Sequence, residues 1–143
     1  DLVRSRGLGD VYKRQIQKGK ISSIEGEPDR NGDKTTARVL PSTADSLVTR
    51  PLTIPWYLRG DMGNLSPGVE VAYAMFEDGT GLILSRMDGE WPGIVPGDIA
   101  IEKGALTVQD KGVSVPSADV TASGISLTSH THTAPHGETT GPH

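Results

Sequence analysis

The chain has 143 residues, no cysteine and a formal net charge of −4. Without cysteine neither a disulfide framework nor a thiolate-ligated zinc site can form, and no apolar run approaches the roughly 20 residues that span a bilayer. A length of this order fits one or two small domains, and the acidic balance excludes the basic footprint that neutralising nucleic-acid phosphates requires.

Residues 1–15, DLVRSRGLGDVYKRQ, read as foreign. The segment DVYKRQ back-translates to GAT GTG TAT AAG AGA CAG, which resembles the transposase mosaic-end adapter of sequencing libraries. A scar of this kind is set aside before fold reasoning, which predicts that the native start lies elsewhere. Setting it aside removes four basic and two acidic residues and leaves 10 against 16, a net charge of −6. No secretory signal pattern is visible, so synthesis in the cytoplasm is expected.

Residues 16–91 hold Trp56, Tyr57, Tyr73, Phe76 and Trp91 and are predicted to form a small β-barrel. Residues 16–24, with Ile21 and Ile24, read as a first strand. The Asn31-Gly32 pair inside Asp29-Arg30-Asn31-Gly32-Asp33 is a strong hairpin signal, returning into residues 35–40 with Ala37 and Val39 inward. Residues 41–49 read as a loop. Leu52, Ile54 and Trp56 alternate as a third strand, placed on an edge or bulge by Pro51 and Pro55. A long loop over 59–68 precedes the strand VEVAYAMF, with Val69, Val71, Tyr73 and Met75 on one side. Glu77-Asp78-Gly79 turns the chain into a fifth strand around residues 82–84. Five strands with a long loop after the third fit an OB-fold barrel. Its aromatics fall at alternating positions, which predicts core rather than a stacking surface. Its eight basic and eleven acidic residues argue against nucleic acid as a partner.

Residues 92–97 carry two Pro-Gly pairs, which end any strand and redirect the chain. A repeat follows over 98–129. Every seventh residue from Ile99 is apolar (Ile99, Leu106, Val113, Val120, Leu127), and so is every seventh from Ile101 (Ile101, Val108, Val115, Ala122). A coiled coil spaces its apolar residues three and four apart. Here the spacing is two and five, and residues two apart share a face on a strand, not on a helix. Gly104, Gly112, Pro116 and Gly124 also oppose a helix. The repeating unit is therefore a short strand and a turn. Each strand offers two modest apolar side chains, too little area to offset the ordering of its backbone. Several copies winding together would pair every edge and bury the apolar rows on a shared axis. The fold class expected is thus all-β: an N-terminal OB-fold barrel followed by a short C-terminal β-helix that intertwines in a homotrimer.

The repeat runs into Ser129-His130-Thr131-His132-Thr133, the start of an apex and tail at residues 130–143. On a strand His130 and His132 face the same way. In a trimer they would bring six imidazoles to the axis. Zinc favours four ligands in structural sites, whereas imidazole also suits iron, nickel and copper. A site filled by six side chains has no open position, so it would be structural rather than catalytic. No catalytic constellation stands out, and the chain is not expected to be an enzyme.

The order barrel, β-helix, SHTHT and TTGP resembles the central spike, or baseplate assembly protein V, of contractile-tailed bacteriophages, and the spikes of related contractile injection systems. The most specific part is residues 124–142, GISLTSHTHTAPHGETTGP. Pro55-Trp56, Gly68-Val69-Glu70-Val71 and Gly81-Leu82-Ile83-Leu84 carry the looser barrel part. The segment His136-Gly137-Glu138 and the terminal His143 depart from the family pattern. The resemblance implies a homotrimeric needle in the virion, at the tail baseplate tip, assembled in the host cytoplasm. It implies one structural iron ion (Fe2+) per trimer on His130 and His132. It implies tail-tube, hub and other baseplate proteins as partners, and transient passage through the host outer membrane when the tail contracts. Two other readings stand beside it. One is a monomeric OB-fold module binding carbohydrate or oligonucleotide, with a disordered tail. The other is a metal-dependent enzyme that adds His136 or Glu138 to the pair.

Overall fold

The computed structural model describes residues 16–43, 47–134 and 137–138. The expected scar at 1–15, together with His136 and His143, lies outside the described residues. The chain divides into two units between Ile99 and Ala100.

The first unit is built on β1 (Ile16–Pro28), β2 (Lys34–Pro41), β3 (Leu52–Thr53), β4 (Glu70–Met75) and β5 (Gly81–Arg86). They form a closed barrel in the order β1-β2-β3-β5-β4. β1 closes it by pairing with β2 along one edge, for example Ile21 with Val39, and with β4 along the other, Gly19 with Val71. β3 and β5 run parallel through Thr53 and Leu82, and the remaining pairs are antiparallel. Closure leaves no long free edge to recruit other chains. Strand alternation explains the core: Ile21, Ala37, Val39, Leu52, Ile54, Val71, Tyr73 and Ile83 each retain at most 2 % exposure. Each large apolar side chain buried in this way contributes about 1.5–3 kcal/mol. The Tyr73 hydroxyl donates to Gln17 Oε1 at 2.9 Å, and burial pushes its pKa up.

The turns are made by local chemistry. In the β1–β2 connection Asp29 Oδ1 accepts the backbone N–H of Asn31 at 2.9 Å and of Asp33 at 3.1 Å. Gly32 takes φ 84°, the left-handed conformation that glycine adopts without strain. Both bonds hold the Asp29 carboxyl below its usual pKa, the Asp33 N–H being the larger cause. Gly81 lies where β5 meets β4. A Cβ there would stand 2.6 Å from Ala74 O and 2.6 Å from Leu52 Cδ2.

The third strand is shorter than its alternation predicted. β3 ends at Thr53, and Trp56–Leu58 forms a 3-10 turn followed by helix α1 (Gly60–Gly63). Ile54 still reaches the core because its N–H bonds Thr35 O at 2.8 Å. Pro55 offers no N–H to continue the ladder, so the chain turns outward there. Trp56 is consequently 71 % exposed, and Tyr57, Phe76 and Trp91 are exposed too. The expectation that the barrel's aromatics form its core holds for Tyr73 alone. The interior is filled by aliphatic side chains.

In the second unit residues 100–120 carry no strand within one chain. Two short hairpins follow, β6 (Thr121–Ala122) with β7 (Ile125–Ser126) and β8 (Thr133–Ala134) with β9 (Gly137–Glu138). No side chain from Ala100 to Ile125 is buried or half-buried.

Candidate metal centre and its supporting hairpin

The β6–β7 hairpin positions the histidines. Its loop, Ser123-Gly124, has φ 51° and 81°, the double left-handed geometry of the tightest hairpin turn. Ala122 pairs with Ile125 and Thr121 with Ser126. The pairing extends one step further, because Leu127 N–H bonds Val120 O at 2.7 Å.

The chain then leaves the strand. His130 N–H reaches back to Ser126 O at 3.2 Å, closing a turn over residues 127–129. Strict alternation from Ile125 and Leu127 would put His130 on the opposite side of the strand. The turn changes that parity. His130 joins Val120, Ala122, Ile125, Ser126 and Leu127 around a hollow of about 220 Å3. Three expected inward residues, Val120, Ala122 and Leu127, thus share a wall with one expected ligand. The other six are exposed in a single chain, from Val115 at 39 % to Leu106 at 74 %.

The imidazoles of His130 and His132 stand 5.0 Å apart, centroid to centroid, with planes at 88°. His130 Nδ1 lies 2.8 Å from Ser126 O and 3.2 Å from Leu127 O. Carbonyl oxygens only accept, so Nδ1 donates. In the neutral ring Nε2 is then left with a lone pair, the state that ligates a metal.

Asp119 underlies this arrangement. Its Oδ1 accepts Val120 N–H at 2.8 Å and Thr128 N–H at 3.2 Å. Its Oδ2 accepts the Ser126 hydroxyl. Ser126 Oγ in turn accepts Ser129 N–H at 3.0 Å. The Ser126 hydroxyl is the main cause that holds the Asp119 carboxyl below its usual pKa, with Thr128 and Val120 adding to it. Attention to apolar and ligating residues alone passes over Asp119. A signal was present: Asp119 and Ser126 lie seven apart, each one residue before an inward apolar position, in phase with the repeat.

Among the described residues no group of three or more His, Cys, Asp or Glu side chains could hold a metal within one chain. His130 and His132 could supply two nitrogens to a metal ion, and a complete ligand set would need groups beyond those described in one chain. His136 is outside the described residues, as is the Glu138 side chain, so a third ligand from the same chain has no described candidate there.

The barrel carries a separate hollow of about 380 Å3, lined mainly by Tyr57, Leu58, Met62, Arg86 and Trp91. Trp56 stands outside it, edge-on to Tyr57 at 5.6 Å. Arg86 is held by Asp88 at 2.6 and 2.9 Å and by the carbonyls of Gly63 and Asn64 at 3.0 and 2.9 Å.

Compared with models of protein families, with curated proteins and with solved structures, the chain matches none.

Proposed function

We propose that the chain is a structural spike subunit: a barrel of the OB type from which three copies wind their repeats into one needle tipped by a metal ion. The observation that carries this reading is the repeat itself. Nine apolar residues in a strict seven-residue phase stand exposed in the single chain, among them Ile99 at 71 %, Leu106 at 74 %, Val113 at 69 % and Leu127 at 55 %. An exposed apolar surface of this extent marks an interaction site. The absence of paired strands over residues 100–120 supports partners supplied by other copies, because unpaired backbone donors and acceptors seek a ladder. The barrel's strand order, with β1 pairing both β2 and β4 and β3 parallel to β5, supports the OB assignment.

The metal reading rests on the His130–His132 pair and on the lone pair left on Nε2 of His130 when Nδ1 donates. Three chains would supply six imidazole nitrogens, a donor type that suits a transition-metal ion such as iron. His130 and His132 would hold the ion, and ligation there would supply folding free energy on the order of 10 kcal/mol. The chain acts mechanically rather than as an enzyme. Its place is the tip of a contractile tail, against tube, hub and baseplate proteins, and it crosses the outer membrane of the host on contraction. Elemental analysis of tag-free protein tests this: iron near one ion per three chains is expected, and metal-free trimers would remove the metal centre from the account.

The hollow beside Tyr57, Met62 and Trp91 favours a second reading, a carbohydrate-binding module, since exposed aromatic rings present apolar faces to sugar rings. Sugar binding by a single chain, lost on Trp91→Ala, would support it over the spike.

A further inference from the structure

Metal-ligating histidines are set by what their other ring nitrogen bonds, and such supporting groups change metal affinity by about 10–100-fold when removed. In this chain the support is a run of contacts in three steps. Asp119 takes the Ser126 hydroxyl and the backbone N–H groups of Val120 and Thr128. Ser126 Oγ takes Ser129 N–H. Ser126 O takes both the backbone N–H and the Nδ1–H of His130. The two ends of the hairpin, Val120 before it and Thr128 after it, are thereby clamped to one carboxylate. We propose that Asp119 and Ser126 are positioning residues for the metal centre: they hold the turn over residues 127–129 so that His130 is locked as the Nδ1–H tautomer with Nε2 presented to the metal. The proposal rests on the metal-centre reading above.

The chemistry favours this role over simple turn stability. An α-turn at this point, closed by His130 N–H on Ser126 O, needs only backbone bonds. The side-chain clamp adds something more specific, because it aims the Ser126 carbonyl at a ring nitrogen. Were the clamp released, Ser126 O would swing away and the neutral ring would populate both tautomers. In one of them the proton sits on Nε2, and ligation there would require a tautomer exchange first. Asp119 acts through Ser126, so the two should behave as one unit, with coupled rather than additive effects.

The experiment uses the full chain, metal-free, with 15N-labelled histidine. Long-range 1H–15N NMR reads the His130 tautomer, and Fe2+ affinity is measured by chelator competition under anaerobic conditions. Wild type is expected to show Nδ1–H alone. Asp119→Ala and Ser126→Ala are expected to show mixed tautomers and roughly 10–100-fold weaker Fe2+ binding, with the double variant no worse than either single. Ser126→Thr, which keeps the hydroxyl, should restore both readouts. The proposal is overturned if wild-type His130 carries its proton on Nε2. It is also overturned if the alanine variants keep a pure Nδ1–H tautomer, whatever happens to their assembly, or if Ser126→Thr fails to rescue. Failure of wild type to bind Fe2+ at all would instead remove the metal centre, while the metal-free tautomer spectra would still report on the clamp.

Discussion

Asp119 and Ser126, seven residues apart and on either side of one hairpin, are joined carboxylate to hydroxyl, and the carbonyl of that same serine receives the ring proton of His130. The seven-residue phase thus serves more than apolar packing. In the last unit it places the two clamp residues, Asp119 and Ser126, one step before the apolar Val120 and Leu127.

Replacement of either histidine should separate the two units in their response. His130→Ala or His132→Ala is expected to reduce bound metal to background and to lower the melting temperature of the C-terminal unit. The barrel should keep its own transition, since its core draws on no residue beyond Ile83. Elemental analysis checks the metal, calorimetry the melting of the C-terminal unit, and fluorescence of Trp56 and Trp91 the barrel's own transition. Chelation of the wild type should mimic the substitution.

A charge placed in the apolar row should cost little in one chain and much in an assembly. Val113 is 69 % exposed in the single chain, where Val113→Asp would ordinarily change stability by no more than about 0.5 kcal/mol. On a shared inner wall three unpaired carboxylates would be desolvated together. Sedimentation should show the variant dissociating at concentrations where wild type stays assembled. An equivalent change at the polar Ser114, one residue on, should leave the mass unchanged.

Barrel stability depends on aliphatic packing. Ile83→Ala removes a side chain with no exposure and should destabilise by about 2–5 kcal/mol in urea unfolding. Gly81→Val should cost about 1–3 kcal/mol or more, because its Cβ alone would meet Ala74 O and Leu52 Cδ2 at 2.6 Å. Trp91→Ala, at a position 62 % exposed, should stay within about 0.5 kcal/mol.

The acid limb of barrel stability should carry the mark of Asp88. Hydrogen bonding to the Arg86 guanidinium, helped by Glu90 N–H, holds the Asp88 pKa down to about 2 in the folded chain. The unfolded value is about 3.9. The folded state therefore binds fewer protons between these values, and stability rises with pH across that window. The contribution is complete above the unfolded value and lost as pH falls through about 2. The advantage of wild type over Asp88→Asn should stay constant from neutrality down to about pH 4 and then shrink toward zero near pH 2. Urea midpoints measured against pH give the comparison.

Much of the barrel could be read from the chain because its strands alternate. Ala37 with Val39, and Val71 with Tyr73, sit inward as their spacing required, and Asn31-Gly32 turns between β1 and β2 as its composition required. Trp56 broke the pattern for a local reason. Pro55 removes a ladder donor, and the chain coils outward into a 3-10 turn just where alternation would have kept it in the sheet. The spacing of the repeat was legible, but its pairing was not: residues 100–120 form no ladder within one chain, and on the proposed assembly their partners would belong to other copies. The His130–His132 pair was visible as a motif. The turn that brings His130 onto the wall of Val120 and Leu127 is flanked by hydrogen bonds that Thr128 N–H and the Ser126 hydroxyl donate to Asp119, which no hydrophobic pattern encodes.

Multi-angle light scattering on the tag-free protein measures the central claim most directly. The account predicts a stable species of three chain masses at micromolar concentration. A species of one chain mass that remains folded and soluble under the same conditions would contradict it.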